Sequence, residues 1–258
     1  MAYDKKPQMI LFDVGGTLFR DGKCIFRDGL SALRQAATNP DVTDDDTLLR
    51  IWNEYHDEIG WSFRSQGGAV LDMSLSAGIK YVTMTAGLQF NKTIAELEEI
   101  FDRFNSTREL MPGIGELLET LKAKGIRAAV ISNNAMSGEG LSLSLDRWLP
   151  ENGFEFSLTS ADVLFAKPCK AIFHCACNFA GVAPEDAWYC GDSFTPDVLG
   201  GSGAGLSPVL IDEKSECPLE MRNDENAGEY MAVKDLILNS KIFAEALEVM
   251  ATSEESFK

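Results

Sequence analysis

The chain has 258 residues, 45% of them apolar and 24% charged, and 40 acidic against 23 basic side chains give a formal net charge of −17. This length supports one core plus a smaller domain, while so acidic a balance argues against nucleic acid and anionic membranes as partners. No stretch is apolar and long enough to span a bilayer, Met1–Pro7 leads straight into an apolar strand without a signal-peptide pattern, and the six cysteines show neither a C-x-x-C pair nor zinc spacing, so structural thiols in a reducing cytoplasm are expected.

Residues 9–14 form a buried apolar run that ends in Asp13-Val14-Gly15-Gly16-Thr17-Leu18. Residues 20–108 then read as helices without a convincing strand. Thr43 with Asp46 suggests a capping box before a face of Leu48, Trp52, Tyr55 and Ile59. Thr93 with Glu96 suggests another, before Leu97, Ile100, Phe101 and Phe104. Pro112 is expected at the first position of a helix striped by Ile114, Leu117, Leu118 and Leu121 and ended by Gly125. Further apolar runs at 126–132, 187–190 and 208–211 read as strands, and Ile242–Met250 as a last amphipathic helix. Fully apolar strands separated by helices predict an α/β fold: a doubly wound parallel sheet covered on both faces.

Ligands of such sheets bind beyond the carboxyl ends of the strands, where Asp13, Ser132 and Asp192 all fall. Asp13 is a candidate nucleophile, since a carboxylate can attack phosphorus and split one hard step into two. The glycines after it allow a sharp turn and close approach to a ligand. Ser132 and Asn133 can offer a hydroxyl and backbone N–H groups to phosphoryl oxygens, and Lys167 a point charge to phosphate and to Asp13. Asp192 and Asp197, five apart after Ala187-Trp188-Tyr189-Cys190-Gly191, are hard oxygen ligands suited to Mg²⁺. Each segment alone also has a plain reading as a strand end, helix cap or loop; their order and joint occurrence carry the argument.

Together the Asp13–Leu18 turn, Val130-Ile131-Ser132-Asn133, Ala166-Lys167-Pro168 and Gly191–Asp197 resemble the haloacid dehalogenase-like hydrolase superfamily over residues 9–211. The resemblance implies a Rossmann-like core of residues 1–19 and 109–258 with a small helical cap, 20–108, inserted after the first strand. It implies Asp13 as nucleophile and metal ligand, the Gly15 backbone carbonyl and Asp192 as further Mg²⁺ ligands, and Asp197 supporting them. Ser132, Asn133, Lys167 and Thr17 would bind the phosphoryl group, with Thr17 also buttressing the nucleophile loop. The expected activity is Mg²⁺-dependent hydrolysis of a small phosphorylated metabolite through an aspartyl-phosphate.

The family's phosphatases carry a second acid where this chain has Gly15, and that acid protonates the leaving oxygen and then activates water. Its absence leaves three other readings open. One is phosphonate hydrolysis, with Lys80 as a Schiff-base lysine. Another is a catalytically silent phosphate-sensing or interaction protein. The third is a dehalogenase, which the retained acid pair disfavours. If the chain is a phosphatase, His56, Asp57, Arg64 or Lys80 of the cap could supply the missing proton. Substrate identity and oligomeric state are not legible.

Overall fold

The computed structural model describes residues 3, 6–20, 22–65, 74–213 and 228–234, with the side chains of 59–65 outside that description. The expected helix Ile242–Met250 and the side chains of Ile59 and Arg64 therefore lie outside the described residues, as does Cys217. The five described cysteines are free thiols, and no helix among the described residues is long and apolar enough to cross a membrane.

Six parallel strands form one sheet: β1 (Met9–Phe12), β4 (Arg127–Ser132), β5 (Phe154–Thr159), β6 (Ala187–Gly191), β7 (Ser207–Ile211) and β8 (Met231–Val233), in the order β5-β4-β1-β6-β7-β8. The order reverses beside β1, which makes its carboxyl end the place where loops diverge and leave a crevice. Every residue of β1 is buried because both faces of the sheet are covered. Ile10 and Phe12 pack with Val130, Trp188 and Cys190 on one face, and Met9 and Leu11 with Ile131, Phe173 and Tyr189 on the other. The doubly wound α/β fold expected from the apolar runs is the fold observed.

The helices covering the sheet are α5 (Ile114–Ala123), α6 (Gly138–Trp148), α7 (Ser160–Val163), α8 (Lys170–Ala180) and α9 (Gly200–Ala204). Pro112 is not inside α5 as expected; Gly113, at φ 78°, caps it, and a left-handed residue there needs glycine. Gly125, at φ 66°, follows the end of α5 as expected.

A two-residue antiparallel ribbon, β2 (Phe19–Arg20) with β3 (Glu109–Leu110), brackets four helices: α1 (Phe26–Ala36), α2 (Asp45–Ser65), α3 (Leu75–Thr85) and α4 (Ile94–Asn105). They share their own apolar cluster around Leu33, Trp52, Ile79, Val82 and Phe101. The Thr93–Glu96 capping box is present at α4. At α2 the cap is Asp44, whose Oδ1 accepts the Thr47 N–H at 2.7 Å, and the Thr43 hydroxyl is buried without a partner among the described residues. A carboxylate also complements the helix dipole better than a hydroxyl does.

This helical unit is fastened to the sheet side through α4 and α6. The fully buried Glu98 of α4 accepts from Ser76 Oγ at 2.6 Å and from the Ser137 N–H at 3.1 Å, and also from Ser137 Oγ. Its carboxylate thereby sits at the N-terminus of α6, where the helix dipole favours negative charge. Asp102 accepts from Ser144 Oγ at 2.5 Å and pairs with Arg108, while Arg147 reaches Glu99 at 2.9 Å. Leu75 N–H donates to Ala135 O at 2.7 Å, which ties α3 to the loop after β4.

Candidate active site

Three strand ends build the site. Asp13 follows β1, and its N–H donates to Cys190 O of β6 at 2.8 Å. Ser132 closes β4 and is buried, and Asp192 follows β6. Asp197 lies one helical turn beyond, in a π-helical segment spanning Phe194–Leu199. With Lys167 they line a crevice of about 330 Å³ that also takes in Gly15, Asn133, Asn134, Ser193 and Arg108.

Lys167 is the organising charge. Its Nζ stands 2.9 Å from Asp13 Oδ1, 2.7 Å from Asp197 Oδ1 and 2.6 Å from the Tyr189 hydroxyl. Only 2% of its side chain is exposed. Burial alone would discharge it, but Asp13 and Asp197 outweigh that effect and hold its pKa above the ordinary lysine value. Tyr189 in turn donates to Ile131 O at 3.0 Å, and burial with the nearby carboxylates keeps its phenol protonated, well above the usual pKa. The Lys167 backbone is fixed by Asn133, whose Oδ1 accepts the Lys167 N–H at 2.7 Å and whose Nδ2 donates to Lys167 O at 3.0 Å. The Asn133 side chain is therefore engaged in holding the lysine loop, and the Lys167–Pro168 peptide within that loop is cis.

The carboxylate oxygens of Asp13, Asp192 and Asp197 come within 4.8 Å of one another. Asp197 is buried, and its Oδ2 accepts the Ser193 N–H at 2.9 Å. Burial and the Asp13 charge raise its pKa despite the opposing pull of Lys167. Asp192 meets solvent as a residue, yet its carboxylate packs on the turn: a Cβ at Gly16, itself at φ 68°, would fall 2.1 Å from Asp192 Oδ2. Desolvation, with the charges of Asp13 and Asp197, lifts the Asp192 pKa to about 6. Three carboxylates facing one lysine leave uncompensated negative charge. A small divalent cation with oxygen ligands fits that donor set.

The crevice unites Asp13, Gly15, Ser132, Asn133, Lys167, Asp192 and Asp197. Thr17, expected to bind phosphate, instead lies outside the crevice lining, because its side chain turns into the core: it is buried, with an Oγ1 that has no partner among the described residues. Two residues escape the sequence reading. Tyr189 shows only as a strand residue, because its hydroxyl meets Lys167 through folding alone. Arg108 falls in a segment that reads as a connector; it pairs with Asp102 and projects into the crevice wall. Of the helical-segment candidates for proton donation, His56, Asp57 and Lys80 do not line the crevice, and Lys80 is exposed on α3.

The chain belongs to the haloacid dehalogenase-like hydrolase family, whose sequence pattern matches residues 7–205. It is 30% identical to haloacid dehalogenase-like hydrolase domain-containing protein 3 of Xenopus laevis over 52% of this chain and 55% of that protein. It is 34% identical to glyceraldehyde 3-phosphate phosphatase of Methanothermobacter thermautotrophicus over 40% of this chain and 45% of the phosphatase. The chain thus spans about half the length of these curated relatives. In fold it resembles 2-haloacid dehalogenase from Pseudomonas syringae pv. tomato DC3000, with a TM-score of 0.59 over 93% of this chain and 99% of the other at 22% identity.

Proposed function

We propose that the chain is a Mg²⁺-dependent phosphatase that acts on a small phosphorylated metabolite through an aspartyl-phosphate on Asp13. The convergence of Asp13, Asp192 and Asp197 around the buried Lys167 carries this reading, and a relative named as a phosphatase supports it. Mg²⁺ bound to Asp13, Asp192 and the Gly15 carbonyl, with Asp197 in support, would neutralise charge on the phosphoryl oxygens.

The chain's own residues account for the remaining roles. Lys167 engages Asp13 Oδ1, which orients the carboxylate and leaves Oδ2 free to attack phosphorus. The bond from phosphorus to the ester oxygen breaks, and the departing oxygen keeps the electron pair. Ser132 and Lys167 hold the transferring group through hydrogen bonds and charge. Water then attacks phosphorus, the Asp13–phosphorus bond breaks, and Asp13 returns as a carboxylate with inorganic phosphate released. The α1–α4 unit acts as the cap that shields the crevice from bulk water.

Gly15 sets the character of the reaction. With no acid there, the leaving oxygen departs without strong protonation and water attacks without a base. Good leaving groups are favoured, and the covalent intermediate accumulates. Phosphonate hydrolysis through Lys80 loses support, since Lys80 lines neither this crevice nor the cavity beside it.

The test is phosphate release from phosphoesters and acyl phosphates with Mg²⁺ and with EDTA, followed on a rapid time scale. Mg²⁺-dependent turnover with an initial burst is expected. Absence of release across the panel would overturn the reading in favour of a phosphate-sensing protein.

A further inference from the structure

Two carboxylates grip the first turn of α6, one from each unit of the molecule. Asp162 of α7, on the sheet side, accepts the Gly138 N–H at 3.1 and 3.0 Å. Glu98 of α4, in the inserted helical unit, accepts the Ser137 N–H at 3.1 Å and the hydroxyls of Ser137 and Ser76. Glu98 is 0% exposed, and its partners are hydroxyls and one backbone N–H, with no cation among the described residues. A carboxylate is costly to bury on these terms, and a helix start needs only one such cap. The second carboxylate differs from the first in belonging to the other unit.

The chain makes room for that contact. A Cβ at Gly140 would fall 2.4 Å from Glu98 Oε2 and 3.0 Å from Glu98 Cβ, so any larger residue there would push α4 off α6. The grip continues along the two helices, where Asp102 accepts from Ser144 Oγ at 2.5 Å and Arg147 reaches Glu99 at 2.9 Å. The two connections between the units are stapled as well. Phe19–Arg20 pairs with Glu109–Leu110, the Met111 N–H donates to Leu18 O at 2.9 Å, and Arg108 pairs with Asp102.

The same joint reaches the site. Ser132 opens a loop that ends at Ser137. From the sheet side, Asn133 is bonded to the Lys167 backbone, and the Asn134 N–H donates to Ser160 Oγ at 3.0 Å. From the inserted unit, the Leu75 N–H of α3 donates to Ala135 O at 2.7 Å, and Glu98 takes Ser137. The Leu75 side chain packs against both the sheet-side apolar cluster and the cluster of the inserted unit. We infer that Glu98 is a positioning residue: it makes α3, α4 and the Ser132–Ser137 loop one rigid body, so the inserted unit stays on the crevice and does not swing away between turnovers. The part of this inference that sets Ser132 for a phosphoryl group rests on the phosphatase reading; the rigid joint does not. Lid opening limits turnover in many enzymes, and here product leaves without it.

The Leu75 N–H reports the joint directly, because its acceptor lies across it. A unit standing open in about 0.1–10% of molecules would limit protection of this amide from hydrogen exchange to about 10–10³-fold. Protection above about 10³-fold is expected in the full chain, and a lower value overturns the inference. Glu98→Gln keeps the shape but replaces one acceptor oxygen with a donor. It is expected to lower Leu75 protection at least about 10-fold and to weaken binding of Mg²⁺ with beryllium trifluoride, a phosphoryl mimic, at least about 10-fold. Asp162→Asn damages the same helix end from the sheet side, and should expose the Gly138 amide while Leu75 stays protected. Equal effects of the two substitutions on Leu75 would reduce Glu98 to an ordinary helix cap and overturn the inference. So would Glu98→Gln that leaves Leu75 protection or mimic affinity unchanged. If Glu98→Gln does not fold, Ser76→Ala replaces it: losing the α3 hydroxyl should lower Leu75 protection by about threefold or more, and no loss overturns the inference. A wild-type chain that neither binds the mimic nor releases phosphate sinks the phosphatase reading, and Leu75 protection then decides the joint alone. Turnover with Leu75 poorly protected sinks the joint and keeps the phosphatase.

Discussion

The crevice and the cavity beside it share Arg108 and Asn134 in their walls but differ in how their polar atoms are paired. In the crevice every charged side chain has a partner: Asp13 and Asp197 meet Lys167, Arg108 meets Asp102, and Asp192 receives the Ser193 hydroxyl at 3.3 Å. Among the residues lining the cavity, Trp52 Nε1, His56 Nε2 and Asn105 Oδ1 are buried and have no hydrogen-bond partner among the described residues. The crevice contacts hold charged groups in one geometry before any ligand arrives, while the surplus of carboxylates over Lys167 leaves room for a cation.

Asp13→Asn would break this comparison most sharply. A carboxamide cannot serve as the nucleophile, and it also weakens the pairing with Lys167. Phosphate release should fall by about 10³-fold or more. Release that survived the substitution would show that the crevice is not the reaction centre.

Lys167→Met tests how much the closed network matters to the fold. It leaves Asp13 and Asp197 buried together with no cation, and breaking a buried ionic cluster in this way costs about 3–5 kcal/mol. At about 2–4 °C per kcal/mol for a chain of this size, calorimetry should register a large drop in melting temperature, together with loss of activity. Added Mg²⁺ should restore part of the stability by taking over the charge. A protein that melted normally would mean that the acids are solvated and the network is loose.

How much of this was legible beforehand divides along the same physical line. β1, β6 and β7 are fully buried and read directly as apolar runs. β5, Phe-Glu-Phe-Ser-Leu-Thr, is a half-buried edge strand whose mixed composition gives no such signal, and β8 is only three residues long. Asp13, Ser132, Lys167, Asp192 and Asp197, which line one crevice, could be singled out beforehand as candidates because their segments occur together in the order of one family's motifs, each segment alone having a plain reading. Tyr189 could not, since an aromatic in a buried strand is ordinary and its hydroxyl matters only through the long-range contact with Lys167. The cavity was not legible either. Trp52 reads as one residue of a helix stripe, and nothing local in the chain reveals that its indole N–H has no partner among the described residues.

Gly15→Asp sharpens the comparison from the side of chemistry. An acid at this position should assist both leaving-group departure and water attack. Such assistance is typically worth about 10²–10⁴-fold, and about 10² is expected here because the surrounding residues have not been shaped for it. The gain in kcat/KM, which reports leaving-group departure, should be largest for alkyl phosphates and small for aryl phosphates, which leave unaided. The initial burst should shrink as the second step accelerates. Equal gains in kcat/KM on both substrate types would mean that leaving-group departure does not limit the first step.

Tyr189→Phe is the mildest perturbation, and it separates positioning from catalysis. The hydroxyl touches neither crevice nor cavity. It donates to Ile131 O at 3.0 Å and accepts from Lys167 Nζ at 2.6 Å. Phenylalanine keeps the ring packed against Phe173, 5.0 Å between centroids, so no void opens. One backbone carbonyl loses its donor and Lys167 keeps its two carboxylates. The expected cost is about 1–2 kcal/mol in unfolding free energy. Turnover should fall by less than about 10-fold, because the lysine remains charged but is less tightly held. The Mg²⁺ concentration for half-maximal activity should not change, since Asp192 and the Gly15 carbonyl are untouched. A shift in that concentration, with stability unaltered, would show that Tyr189 acts on the metal site through Asp197 and not on the orientation of Lys167.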